Sequence, residues 1–179
     1  MNGINLEGLD AARKAIAANR KEGIASYGLA MTWKEGVQME ARATGIQIGS
    51  EKIARDFSWP VSEPAQLLGG NTGPTPQEYL MSGVGACIMV GFVVNASVKG
   101  VKLRALKINM TGSLDLAGFM NVGEDAQIKM RGIDYEIEVD CDADEATLDE
   151  IAKAAFEFSP NAMTVQNGIP VQGRVKQSA

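Results

Sequence analysis

Between Tyr79 and Val98 the chain runs for twenty residues without a single charge. A Gly/Pro-rich loop containing Gly69, Gly70, Gly73, Pro74 and Pro76 leads into this run. Pro76 suits a first helical turn, where its missing N–H is not needed. Glu78 then complements the positive end of the helix. The run predicts one long helix over 76–98, stopped by Lys99-Gly100. Its length would span a membrane, but Ser82, Asn95, Ser97 and three glycines interrupt it, and no other segment is membranous. We therefore expect a helix buried on all sides in a soluble core, with no membrane partner. Gly83, Gly85 and Gly91 each cost about 1 kcal/mol against alanine in a helix interior. That cost suggests another backbone passing close by, such as the helix of a symmetry mate. Cys87, near the middle, is then either a small hydrophobe or a buried nucleophile.

The 179 residues suit one domain with a sizeable core, or a domain with a short N-terminal appendage. The net charge of −5 and the scatter of Lys and Arg argue against nucleic-acid binding, because no basic stripe exists to neutralise phosphates. The N-terminus, MNGINLEGLDAARK, carries acidic residues early and no apolar run, so no secretory signal is expected and the cytoplasm is the default location. The two cysteines, 54 positions apart, form no CxxC motif. The chain contains no histidine, which removes Ser-His-Asp and Cys-His catalysis and most zinc and iron sites. The densest acidic run, Asp140-Cys-Asp-Ala-Asp-Glu145, lacks the glycine and spaced ligands of a calcium loop. It reads as a strand end followed by a helix N-cap. No metal and no cofactor is expected.

Residues 5–21 predict a helix with Leu6, Leu9, Ala12 and Ile16 on one face, ended by Gly23. Residues 27–33 and 37–43 predict a hairpin turning at Lys34-Glu35-Gly36. A third strand is expected around 51–61, ended by Pro60 and Pro64. After the long helix, 101–114 and 128–139 alternate as strands, with 115–126 a loop rich in Gly and Asp. Asp144 should cap a helix carrying Leu148, Ile151, Ala152, Ala155 and Phe158, ended by Pro160. A short last strand is expected at 171–175. The order β-β-β-α-β-β-α-β, with short connections, indicates an α+β fold rather than alternating βαβ units.

The pattern GG-x-x-x-GP-x-P-x-EYL-x(6)-GAC, then two long strands, then a second helix ending at a small residue before Pro, resembles the OsmC/Ohr family. These are the osmotically inducible protein C and organic-hydroperoxide-resistance proteins. The resemblance covers about residues 37–176; it divides the chain into an N-terminal helical extension over 1–25 and an OsmC-like domain over 26–179. It implies antiparallel β-sheets wrapped around central helices in an intertwined homodimer. It also implies reduction of organic hydroperoxides by a reactive cysteine on the first central helix. A second cysteine at the end of the second helix then closes a disulfide, assisted by an arginine and a glutamate.

Cys87 matches the reactive cysteine. A thiolate is the nucleophile and apolar burial disfavours the charged form, so a cation has to supply the activation. The other positions depart from the pattern. Ser159, in Phe158-Ser159-Pro160, stands where the second cysteine belongs, and serine forms no disulfide. Cys141, at a strand end, suits a core role. Gln77 stands ten residues before Cys87, at the glutamate position. Glu78, about 100° further round the helix, is the carboxylate that could substitute, or simply a helix-start charge. Gln47, in Ala43-Thr44-Gly45-Ile46-Gln47, falls at the arginine position, which leaves Arg42 and Arg55 as the nearby guanidiniums. Two functions follow from the resemblance. One is a one-cysteine, thiol-dependent hydroperoxide reductase without the disulfide mechanism. The other is a non-catalytic dimer that binds a small apolar or thiol-containing ligand.

Overall fold

The computed structural model describes residues 1–177. Two compact units divide the chain: Gly3–Leu80, and Met1–Asn2 together with the chain from Met81 onward. The fold is α+β, with antiparallel sheets and helices.

In the unit Gly3–Leu80, α1 (Leu6–Ala18) is capped by Asn5, whose Oδ1 accepts from the Gly8 N–H at 3.0 Å. β1 (Ala25–Glu35) and β2 (Gln38–Ile48) form the expected hairpin, with a register shift at Gly28/Leu29. The expected third strand is two. β3 (Glu51–Ile53) and β4 (Ser58–Val61) pair successive stretches of the far edge of β2. Between them Asp56 pairs with Arg42 and Arg55 folds over the Phe57 ring, so these side chains have local partners outside the ladder. Pro60 does not end the strand but lies inside β4, an edge position where no N–H is needed. The loop that follows folds back on itself. Asn71 N–H donates to the Glu63 carbonyl at 3.0 Å, and Ser62 N–H to the Pro74 carbonyl at 3.1 Å. A Cβ at Gly69 would overlap the Glu63 backbone, so only glycine fits there.

α2 (Pro76–Val98) begins in this unit and continues into the second. There it carries Val84, Ile88, Phe92 and Ala96, one apolar stripe at i, i+4 spacing. The stripe packs on Ile151 and Ala155 of α4 (Glu145–Glu157) and on Ala162 of α5 (Pro160–Asn167). β5 (Leu103–Ser113) and β6 (Gly132–Cys141) add Leu106, Ile108, Ile137 and Val139 to the same core. Fully burying residues such as Ile88, Phe92 and Ile151 stabilises by about 1.5–3 kcal/mol each. At the C-terminal end of α2, Asn2 bridges to β5: its Nδ2 donates to the Val101 carbonyl at 2.8 Å, and its Oδ1 accepts from Leu103 N–H at 3.0 Å.

Several expectations change here. α2 is not buried on all sides: opposite the core stripe Ala86 is exposed and Val90 is 64% exposed. Its glycines meet other parts of this chain. Gly91 faces the Ala155 backbone of α4, Gly85 faces Met110 and Ile108 of β5, and Gly83 faces Asn161 of α5. The loop over 115–126 holds a short helix, α3 (Leu116–Met120), capped by Asp115. β6 starts at Gly132 rather than 128. Pro160 does not end the helical region but opens α5, because Ser159 caps it and Pro at the first position is preorganised. Residues 171–175 form no strand. The acidic run is the expected strand end and cap: β6 ends at Cys141, and Asp144 caps α4 through Thr147 N–H at 2.8 Å. Asp140 and Asp142 in addition both accept from Arg104.

Candidate functional site around Cys87

Cys87 is a free, half-buried thiol. It sits about 100° round α2 from fully buried Ile88, so it lies beside the core stripe and not in it. Gly83, Cys87 and Gly91 fall on one i±4 ridge of the helix. Both ends of that ridge touch the second helical pair. A Cβ at Gly91 would stand 3.1 Å from the Ala155 Cα and 3.2 Å from its carbonyl oxygen. Asn161 Nδ2 donates to the Gly83 carbonyl at 2.8 Å. The two anchor points are about 12 Å apart along α2. The corner joining α4 to α5, residues 156–160, therefore runs past Cys87. On its other side the thiol borders the uncovered face marked by Ala86 and Val90.

Ser159 belongs to this corner. It is 2% exposed, and its Oγ accepts from Ala162 N–H at 3.2 Å as the cap of α5. Its hydroxyl therefore has a structural occupation of its own. Gln77 and Glu78 lie in the first turn of α2. Glu78 is engaged in a reciprocal cap: its Oε2 accepts from Thr75 N–H at 2.7 Å, and Thr75 Oγ1 accepts from Glu78 N–H at 3.2 Å. This is a capping box, and its signature, Thr75-x-x-Glu78 ahead of an apolar run, was available in the sequence. Asn161 carries no signal in the sequence, where Pro160 reads as a helix stop.

The two guanidiniums have partners in the unit Gly3–Leu80. Arg42 pairs with Asp56 at 2.9 Å on the surface. The Arg55 guanidinium lies 4.5 Å from the centre of the Phe57 ring. It stands at an apolar groove of about 480 Å³, lined also by Tyr27, Leu29, Ile46 and Trp59. Gln47 donates to the Gly49 carbonyl at 3.0 Å in its own turn. Cys141, half-buried at the end of β6, is likewise a free thiol and pairs across the ladder with Leu103. Among the described residues no group of three or more Cys, Asp or Glu could hold a metal ion.

The model of a family described as OsmC-like protein matches residues 69–173, well over half of the chain. The chain belongs to the OsmC-like family. The matched segment contains the glycine-rich loop, the Cys87 helix, the second hairpin and the α4–α5 corner. The fold recurs in solved structures at low sequence identity. An OsmC-like protein from Mycoplasma pneumoniae superposes with a TM-score of 0.63 at 21% identity, covering 80% of this chain and 89% of that one. An OsmC-like protein of unknown function from Vibrio cholerae gives 0.60 at 13%, covering 80% and 95%. An organic hydroperoxide resistance protein OsmC from Legionella pneumophila gives 0.54 at 15%, covering 79% and 89%. No curated protein matches the sequence.

Proposed function

We propose that this OsmC-like protein reduces organic hydroperoxides through Cys87 alone, with an external thiol as reductant. The observation that carries the reading is the placement of Cys87: half-buried, free, and outside the core stripe. A cysteine serving only as a core hydrophobe would sit with Ile88. The Cys87 thiolate attacks one peroxide oxygen, the O–O bond breaks, and the alcohol leaves with a proton. Sulfur is oxidised to the sulfenic acid. An external thiol condenses with it, releasing water and forming a mixed disulfide. A second thiol then exchanges, releasing an external disulfide and regenerating Cys87. Ser159 contributes no sulfur, so the cycle has no internal disulfide. A solved structure of the same fold is named an organic hydroperoxide resistance protein, which favours this chemistry over others.

The working unit in this proposal is a homodimer. The uncovered face of α2, with Val90 64% and Val98 48% exposed, has no charge to solvate. One face of β1 is exposed as well, at Tyr27, Leu29, Met31 and Trp33. Exposed apolar area of this kind marks an interface. A monomeric mass at micromolar concentration would contradict the assembly.

Cumene hydroperoxide should convert Cys87 to a species trapped by dimedone, read as an adduct on the Cys87 peptide. Absence of that adduct while Cys87 stays reduced would overturn the enzyme reading. One observation favours the ligand-binding alternative: the apolar groove beside Arg55 is roomy enough for a small organic molecule. Saturable binding of a stable apolar molecule, with no dimedone adduct after peroxide, would select it.

A further inference from the structure

We propose that the groove beside Arg55 binds a small organic anion, with a carboxylate on the guanidinium and an apolar tail between Leu29, Ile46 and Trp59. This gives the groove a ligand class, and it holds whether or not Cys87 reacts. The groove comes from the way β1 and β2 meet. Their register slips between Gly28 and Leu29: Gly28 pairs with Gly45 and Leu29 with Ala43, which leaves Thr44 without a partner across the ladder. The rung Gly28–Gly45 carries no side chain, and neither position readily takes one. A Cβ at Gly28 would overlap Thr44 Oγ1, and Gly45 sits at φ +148°, a conformation that favours glycine. Backbone and the small Ala43 therefore form the floor. The side chains around it bound about 480 Å³, within the range of small-molecule sites.

Charge sets the choice of ligand. Arg55 is the only charged residue of the lining. Its guanidinium lies over the Phe57 ring at 4.5 Å, and among the described residues it makes no ion pair and no hydrogen bond. Asp56, next in the chain, is taken by Arg42. Contact with the ring uses the π surface, which leaves the planar fork of N–H donors to an acceptor. A carboxylate fits that fork with both oxygens. A neutral apolar molecule would leave the fork unused, and an inorganic anion would leave the apolar walls unused. An acid with an apolar tail uses both. Met31 and Trp33, further along β1, lie outside the lining. The strand therefore holds the ligand at one end and leaves the other end to a second copy.

Octanoate and octanol are the probes, titrated by calorimetry and by the fluorescence of Trp59 in a Trp33→Phe background, where it is the only tryptophan. Octanoate should bind saturably to the wild type and more tightly than octanol. Losing a charge-assisted pair should weaken octanoate about tenfold or more in Arg55→Gln. Arg55→Lys should fall between the two, because lysine keeps the charge without the fork. Octanol affinity should be the same in all three, which also shows the groove intact. No saturable binding of octanoate, or equal octanoate affinity in wild type and Arg55→Gln, would overturn the proposal. If Arg55→Gln loses octanol as well, Arg55→Lys decides, and unchanged octanoate affinity there would overturn it. A Trp59 signal that follows protein concentration and ignores octanoate would assign the groove to a second copy, and would overturn it too. Binding needs no turnover, so failure of peroxide reduction would remove the proposed function without producing any of these results.

Discussion

Replacing Gly91 and Gly83 by alanine, one at a time, tests the packing of α2 against the corner. Both glycines lie in the helix interior, so each substitution gains the same propensity, about 1 kcal/mol. The difference between the two variants therefore reports the space each side chain finds. At Gly83 a new Cβ has one neighbour, Asn161 Nδ2 at 3.6 Å, an ordinary contact. At Gly91 it meets the Ala155 Cα at 3.1 Å, its carbonyl oxygen at 3.2 Å and its Cβ at 3.4 Å. Two of these three are backbone atoms of α4, which cannot swing aside as a flexible side chain would. Overpacking of this kind costs about 1–3 kcal/mol. Gly83→Ala should then be as stable as the wild type or more so, and Gly91→Ala should fall below it by about 1–3 kcal/mol relative to Gly83→Ala. For a chain of this size that gap is roughly 2–4 °C in Tm per kcal/mol. Thermal and urea unfolding at one protein concentration measure it, since the apparent stability of the proposed dimer depends on concentration. Equal stability of the two variants would refute the close approach of α4 at Gly91, and with it the placement of the corner beside Cys87.

Other outcomes follow from the same residues. Ser159→Cys should yield an internal disulfide with Cys87 after peroxide treatment, seen as a loss of two hydrogens by mass, together with a stability loss of about 1 kcal/mol from the removed cap. Thr75→Ala should lower stability by about 0.5–2 kcal/mol through the capping box. Glu78→Gln should lower it with no change in peroxide turnover per folded protein; a turnover loss would make Glu78 catalytic. The hydrogen bonds that Asp144 accepts from Thr147 hold its carboxyl below its ordinary value of 3.8. A depressed carboxylate stabilises the fold above its unfolded pKa and loses that contribution as pH falls through the folded one. Asp144→Asn should therefore flatten the part of the acid-unfolding curve below about pH 4, where the wild-type cap is protonated.

The sequence was most legible where local chemistry and packing agree. Asp144 and the alternating residues of β5 and β6 announced the second unit because caps and period-two patterns act locally. The corner was less legible. Ser159-Pro160 reads equally as a stop and as a cap followed by a first helical residue, and only the packing of Ala162 into the core selects the second. Residues 54–57 interrupt the third strand through Arg42–Asp56 and Arg55–Phe57, pairs formed by side-chain geometry that no periodicity encodes. The uncharged run of α2 was read as all-round burial because composition cannot tell a face covered by this chain from one left exposed in it. Cys87 was found from the family pattern. Its offset from the core stripe became visible only once Val84, Ile88 and Phe92 were seen to face the core.

Consumption of cumene hydroperoxide in the presence of dithiothreitol, for the wild type against Cys87→Ser and Cys141→Ser, tests the central claim most directly. Wild type and Cys141→Ser should turn over peroxide repeatedly at similar rates, and Cys87→Ser should fall to the rate of dithiothreitol alone. Turnover that survives in Cys87→Ser, or a wild type no faster than the dithiothreitol blank, would contradict the account.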